Sequence, residues 1–415
     1  MIPDPVVFLR GLFDRAVEVA DPMQSLGDVL PDKPDGRLIV VGAGKASARM
    51  AEAVEAKYGP CEGLVITRYG YARPCTGIEI VEAAHPVPDE AGMNATRRML
   101  ELLAELGEDD TVLALISGGG SALLMAPAGG ITLNEKQALT DDLLASGAPI
   151  GVLNGIRKQI SNVKGGKLAA AAHPARMLAL MISDVPGDNP GDIASGPTVG
   201  DAGDAALALE HLNAWNVTPP TSIARFLTQG GDPMPPDDPR LGRVENVIYA
   251  APSQSLSAAA EMARPFGLAV RNLGDDLEGE AREVARLHAG LAKAAQGDQA
   301  VLLLSGGELT VTRTGDGIGG PNAEYALALA LALEGAEGIY AIACDTDGVD
   351  GAAEVAGALI GPDTLAKAAV AGADPARALA RNDAHGFFAA IGDQVVTGPT
   401  LTNVNDFRAI LVQPG

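Results

Sequence analysis

RLIVVGAGKAS, residues 37–47, runs from a short apolar, β-branched segment into a glycine loop and then into helical spacing. Arg37–Val41 stops at Gly42 and has the length and flanks of a buried strand. Lys45–Lys57 (KASARMAEAVEAK) continues at a helical period. Strand-like runs recur at Leu64–Thr67, Ile78–Glu82, Thr111–Ser117 and Met177–Ser183, with helical patterns between several of them. That alternation predicts parallel βαβ units and a doubly wound α/β sheet.

Upstream, residues 5–20 read as an amphipathic helix ended by Asp21-Pro22. Downstream, Asn216 to Arg243 loses periodicity and fills with Pro and Gly. The expected organisation is therefore an N-terminal α/β domain over 1–215, a Pro/Gly-rich linker over 216–243 and a C-terminal α/β domain over 244–415. In the latter, strands are expected at Val247–Ala251, Ala269–Asn272, Ala300–Leu304, Ile339–Ala343 and Ala409–Val412.

The chain of 415 residues carries a net charge of −23, with 53 acidic against 30 basic side chains. Such a field repels nucleic acid and anionic membranes, so neither is expected as a partner. An anionic substrate would need basic groups gathered locally, which singles out Lys45, Arg157, Lys158, Lys164 and Lys167. Cys61, Cys75 and Cys344 form no CxxC pair and leave an odd thiol, which argues against a disulfide framework. The first residues lack the apolar core of a signal peptide, no apolar run is long enough to span a bilayer, and the cytoplasm is the expected compartment.

Several loops could carry chemistry. In VVGAGKAS (40–47) small residues let a ligand approach the backbone, and the following helix offers free amides to an anion, with Lys45 as the charged contact. Gly42-x-Gly44 begins a dinucleotide fingerprint, but Ser47 replaces its third glycine and the next strand ends VITRYG without the ribose-binding acid. Ile39 and Ala46 also rule out a Walker A loop. ISGGGS (116–121) can form a nest of amides, with Ser117, Gly118, Gly119, Gly120 and Ser121 as an anion cradle. SDVPGDNPGD (183–192) presents Asp184, Asp188 and Asp192, and CDTDGVDG (344–351) presents Asp345, Asp347 and Asp350. Carboxylates on such loops suit Mg²⁺, which binds through one or two of them plus phosphate oxygens and water. The spacing is not that of an EF-hand, no HExxH is present, and SGGGS is not a GxSxG elbow.

Taken in order, these strings resemble the type 2 glycerate kinases, whose C-terminal half is known as the MOFRL domain. The resemblance is carried by GAGKAS (42–47), AAHPVPDEAG (83–92), ISGGGSALL (116–124), SNVKGGKLA (161–169), SDVPGD (183–188), ASGPT (194–198), LLSGGELTV (303–311), GGPNAEYALA (319–328), DTDGVDG (345–351) and GPTLTNVND (398–406). It implies an N-terminal Rossmann-like domain, a C-terminal MOFRL-type α/β domain and an active-site cleft between them. It also implies transfer of the ATP γ-phosphoryl to the 2-hydroxyl of D-glycerate, giving 2-phosphoglycerate, with Mg²⁺. The partners would then be glycerate and ATP, and a homodimer is compatible with the family.

On that resemblance Lys45 acts at the reacting phosphoryl and the Ser117–Ser121 loop cradles its oxygens; the residues themselves add Asp188 as the favoured proton acceptor and Arg157 and Lys158 as further contacts to substrate and phosphate. Ser305, Gly306, Gly307, Glu308, Asn322 and Asn403 would bind the nucleotide, and Asp184, Asp345 and Asp347 the metal. Where many members read GGRNxE with an arginine thought to act in catalysis, this chain has Pro321. At 251–260 it reads APSQSLSAAA, where members often carry an Asn on the loop. Two other readings stand beside the kinase. One is an NAD(P)H-dependent hydroxypyruvate reductase, and the other is a sugar-phosphate-binding module without catalysis.

Overall fold

The computed structural model describes residues 2–414, apart from Pro233, Ala352 and the side chain of Ile150. The chain divides into two compact units. One holds Ser25–Ser183 and Asp188–Tyr249; the other holds the residues up to Gln24, Asp184–Gly187 and the chain from Ala250 onward.

The first unit is built on strands β1 (Leu38–Ala43), β2 (Glu62–Arg68), β3 (Ile78–Ala83), β4 (Thr111–Ile116), β5 (Arg176–Ile182) and β6 (Val244–Ala250). Their order is β3-β2-β1-β4-β5-β6, and β1 pairs in parallel with both β2 and β4. All six residues of β1 are buried, as an apolar run covered on both faces requires. The order reverses between β1 and β4. In an open α/β sheet, ligands collect in the crevice beyond the carboxyl ends of the strands at that point. The loops GAGKAS and SGGGS lie there.

The stretch 216–243 is not a linker. Helix Thr221–Thr228 buries Ile223 and Leu227 against Leu139, Leu153, Ile156 and Leu212 in a small helical core. β6 then closes the first sheet's edge, where Asn246 Oδ1 accepts from the Thr198 hydroxyl at 2.6 Å. Pro and Gly punctuation marks short helices and turns there, and dilutes the signal of Ile223 and Leu227, buried one helical turn apart.

The N-terminal helix Pro5–Ala20 belongs to the second unit, not to the domain that follows it in sequence. Its stripe of Phe8, Leu9, Leu12, Phe13 and Ala16 packs with Leu256, Ala259, Phe407 and Leu411. Burying each large side chain stabilises by about 1.5–3 kcal/mol. Ser255 Oγ also donates to the Ala16 carbonyl at 2.7 Å.

The second unit contains β7 (Ala269–Asn272), β8 (Glu278–Glu280), β9 (Val301–Ser305), β10 (Glu308–Thr310), β11 (Ile339–Asp345), β12 (Gly357–Ile360), β13 (Gln394–Val395) and β14 (Asp406–Val412). Its main sheet runs β13-β12-β11-β14-β9-β7, and only β7–β9 is parallel there. The simple parallel alternation therefore ends with the first unit, because hydrophobic periodicity marks a strand without fixing its direction. Helix Pro321–Leu333 is buried around most of its circumference. It packs against β11, β12 and the helix Ala281–Ala294.

Candidate active site

At the switch point the two glycine loops interlock. The Lys45 amide donates to the Gly118 carbonyl at 2.8 Å, and the Ala46 amide to Ser117 Oγ at 3.1 Å. Ser47 Oγ donates to the Leu115 carbonyl at 2.9 Å and lies 3.2 Å from Ser117 Oγ. A β-carbon on Gly42 would come within 2.3 Å of the Leu115 carbonyl oxygen, and one on Gly44 within 2.0 Å of Ser117 Oγ. These glycines let the β1 loop seat against β4. Ser117 is fully buried, so its hydroxyl holds the two loops together rather than facing a ligand.

The rest of the second loop is open to one. Gly119 has a left-handed φ of 79° and caps the short helix Gly120–Leu123. The amides of Gly118 and Gly119 donate to no protein acceptor among the described residues. A β-carbon on Gly119 would lie 3.1 Å from the His85 ring and 3.1 Å from Lys45 Cγ. Lys45 and His85 therefore flank this loop. Gly120 is packed tightly, since a β-carbon there would meet Ala194 Cβ at 2.7 Å.

Beside the loop is a pocket of about 160 Å³ whose polar lining comes from His85, Ser121, Lys136, Thr140, Arg157 and Lys164. Among the described residues no Asp or Glu lines it, in a chain of net charge −23. Lys164 is 1% exposed and donates to the carbonyls of Ser121 at 2.7 Å and Leu124 at 3.1 Å. It thereby fixes the end of the glycine loop. Lys136 is 2% exposed, and among the described residues its ammonium donates only to the Ile160 carbonyl, at 3.4 Å. Burial, then the charges of Arg157 and Lys167, push Lys136 down to about 7. Burial pushes Lys164 well below its ordinary value, with Lys136 and Arg157 adding to it. Arg157 is also lowered by burial, and its guanidinium has no hydrogen-bond or ion-pair partner among the described residues.

Ser121 Oγ lies 2.8 Å from Ser195 Oγ, which donates to Asn154 Oδ1 at 3.0 Å. The five basic residues singled out from the sequence thus separate. Arg157 and Lys164 line the pocket and Lys45 stands at the loop. Lys158 pairs with Asp201 at 3.0 Å, and Lys167 donates to the carbonyls of Lys158 at 3.1 Å and Ser161 at 2.7 Å. Those two hold the scaffold. Lys136 was missed, although a signal existed. The capping box Thr132/Glu135 starts helix Leu133–Ala145, and Lys136 then shares the face of Leu139 and Leu143. Asp188 does not line the pocket; it sits in a turn with a left-handed φ of 52°.

In the second unit, three of the expected loops converge. Asn403 Nδ2 donates to Asp184 Oδ2 at 3.1 Å, and Asn405 Nδ2 to the Asp184 carbonyl at 3.2 Å. The Asn405 carbonyl accepts from Thr346 Oγ1 at 2.6 Å. Within the Asp345 loop, Asp345 Oδ1 accepts from the Asp347 amide at 2.9 Å, and Asp347 Oδ1 from the Val349 amide at 2.8 Å. Among the described residues no three His, Cys, Asp or Glu side chains gather as a ready metal cage.

Of the remaining candidates there, Ser305 and Asn322 are tied into the core. Arg408, 1% exposed, pairs with Asp406 at 2.8 Å, donates to the Gly306 carbonyl and reaches Ser305 Oγ at 3.4 Å. Asn322 Nδ2 donates to Asp406 Oδ1 at 2.6 Å, while Asp350 accepts from the amides of Asn322 at 2.9 Å and Ala323 at 2.8 Å. Asp350 thus satisfies the start of the Pro321–Leu333 helix. Gly307 allows close approach, since a β-carbon there would sit 2.2 Å from the Leu277 amide nitrogen. Glu308 is exposed at the start of β10. Pro321 occupies the first turn of its helix, where its missing N–H costs nothing.

Comparison with known proteins matches two families along the chain. Residues 8–228 match the family described as a domain of unknown function, DUF4147, and residues 301–406 match the MOFRL family. A protein of Agrobacterium vitis, provisionally named a hydroxypyruvate reductase, is 50% identical over 97% of this chain and 94% of its own. D-glycerate 2-kinase of Thermotoga maritima is 38% identical over 94% of each chain. A crystal structure of glycerate kinase from Thermotoga maritima superposes with a TM-score of 0.87 at 37% identity, covering 98% of this chain and 99% of the other.

Proposed function

From the premise that the chain belongs to the type 2 glycerate kinase family, we propose that it transfers the γ-phosphoryl of ATP to the 2-hydroxyl of D-glycerate. The products are 2-phosphoglycerate and ADP. The observation that carries this reading is the carboxylate-free basic pocket beside Lys45 and the unpaired amides of Gly118 and Gly119. Phosphoryl transfer asks a protein mainly for positioning and for positive charge around the moving group. The amides and Lys45 supply both at a strand switch point.

The roles follow from what each group can do. Lys45 offsets charge on the transferring phosphoryl. The Gly118 and Gly119 amides orient its oxygens. Asp184, Asp345 and Asp347 do not gather as a three-carboxylate site, so Mg²⁺ would be held by one or two of them together with the nucleotide's phosphate oxygens and water, and would supply charge neutralisation there. Two groups are candidates to accept the hydroxyl proton. His85 lines the pocket and Asp188 does not, so we assign the proton to His85. Ser305, Gly306 and Gly307 shape the loop proposed for the nucleotide through Arg408. Glu308 on that loop and Asn403 beside Asp184 keep the nucleotide role assigned from sequence, while Asn322 acts through the buried carboxylates.

The hydroxypyruvate reductase name on a 50%-identical relative raises hydride transfer as a second reading. A dinucleotide needs its pyrophosphate against the first βα turn and an acid at the end of β2. Here Ser117 fills the space over Gly44, and β2 ends in Thr67-Arg68. Both observations weigh against a nicotinamide cofactor at this loop. Purified protein given ATP, Mg²⁺ and D-glycerate should release ADP with 2-phosphoglycerate. NADH oxidation with hydroxypyruvate, in place of ADP release, would overturn the kinase.

A further inference from the structure

We infer that the pocket under the Gly118–Ser121 loop is the subsite for the carboxylate of the acceptor, with Arg157 as its principal ligand and Lys136 and Lys164 behind it. This deepens the glycerate reading and rests on it.

Three observations lead here. First, the pocket is small: about 160 Å³ suits the acid end of a three-carbon molecule. Second, Arg157 lines it, half-buried, with no hydrogen-bond or ion-pair partner among the described residues. A planar fork of donors is the group best matched to a carboxylate's two oxygens. Leaving such a cation half-buried and unpaired costs stability, which a bound anion would offset. Third, the charge of the pocket fits a monoanion. Burial lowers Lys136 and Lys164 from their ordinary values, so the pocket carries less positive charge than its three basic side chains would bear in water. A dianionic phosphate would ask for more.

Lys164 has a second task, because its two bonds to Ser121 and Leu124 carbonyls hold the glycine loop over the pocket. A carboxylate on Arg157 would then lie on one side of that loop's amides. The carbon bearing the 2-hydroxyl is adjacent to the carboxylate and would be presented toward Gly119, between His85 and Lys45. This places the acid's recognition and the phosphoryl's recognition on opposite ends of one short loop. An acceptor without a carboxylate should therefore bind poorly.

The test is calorimetric titration of the nucleotide-free full chain with D-glycerate, glycolate, glycerol and inorganic phosphate, using wild type, Arg157→Gln, Arg157→Lys and Lys136→Met. Thermal melts verify that each variant is folded. Wild type should bind the two acids and not glycerol. Arg157→Gln should weaken acid binding by about 10- to 100-fold, with Arg157→Lys recovering part of it. In turnover, KM for glycerate should rise while KM for ATP stays within about twofold, as loss of binding at one subsite requires. Folded Arg157→Gln with unchanged acid affinity, or tighter binding of phosphate than of the acids, would overturn the inference while leaving ATP-dependent turnover intact. If instead wild type shows Arg157-dependent acid binding but no ATP-dependent turnover, the kinase reading fails and the subsite stands.

Discussion

Ser117 Oγ occupies the space that a side chain on Gly44 would need: a β-carbon there would lie 2.0 Å away. The same oxygen accepts the Ala46 amide at 3.1 Å. One buried hydroxyl thus sets the path of the β1 loop and with it the backbone of Lys45.

Gly44→Ala should therefore fail to fold normally, because the clash is with a fixed oxygen and the backbone φ of 150° disfavours a side chain as well. Ser117→Ala should fold but lose about 1–3 kcal/mol, the cost of leaving a buried amide unpaired. Denaturant melts check both. A Ser117→Ala protein as stable as wild type would show that the hydroxyl does not hold the loops.

Lys45→Ala should lower turnover by about 100- to 1000-fold, the scale seen when one preorganised charge is removed from a transition state. Its melting temperature should barely change, since Lys45 is partly exposed. Steady-state kinetics beside a thermal melt decide it. Near-normal turnover would remove Lys45 from the reacting centre.

His85→Ala and Asp188→Asn separate the two proton acceptors. Loss of a general base costs about 100- to 10,000-fold, and that loss is expected for His85→Ala alone. Asp188→Asn should be nearly silent, because Asn also tolerates the left-handed backbone at that position. The pH–rate profiles of the two variants check this; a larger loss in Asp188→Asn would return the role to the aspartate.

Lys136 gives the chain a pH signature. Its folded-state value is lowered from 10.5 to about 7 by burial first and by Arg157 and Lys167 after it. Between those values the unfolded chain binds the extra proton, so stability contributed by this site rises with pH, by up to about 1.4 kcal/mol per unit. Below about 7 both states are charged and the contribution is flat. The difference in stability between wild type and Lys136→Met, measured from neutral to alkaline pH, should follow that rise in sign. A pH-independent difference would place a charged Lys136 in the fold throughout.

Much of the first unit was legible because strong local signals agreed with one another. RLIVV followed by glycines reads as a strand and turn, and the structure puts it at the sheet's centre. The place of the N-terminal helix was not legible. Its apolar stripe predicts a buried face but not the partner, which lies at Leu256 and Phe407, far along the chain. The basic residues were legible by type and not by role. Lys158 and Lys164 look alike in sequence, and only the fold gives one a carboxylate partner and the other a pocket. Lys136 was hidden because a lysine among NEKQ reads as solvated until the helix's buried face is known. Ser305 and Asn322, polar residues beside glycines, carry the sequence pattern of nucleotide contacts, and the fold adds what that pattern does not show, their hydrogen bonds to the buried Arg408 and Asp406.

The most direct test of the central claim is product analysis after incubating the purified chain with ATP, Mg²⁺ and D-glycerate, run in parallel with NADH and hydroxypyruvate. The kinase account predicts equimolar ADP and 2-phosphoglycerate in the first reaction and no NADH oxidation in the second. NADH consumed with no ADP formed would contradict it.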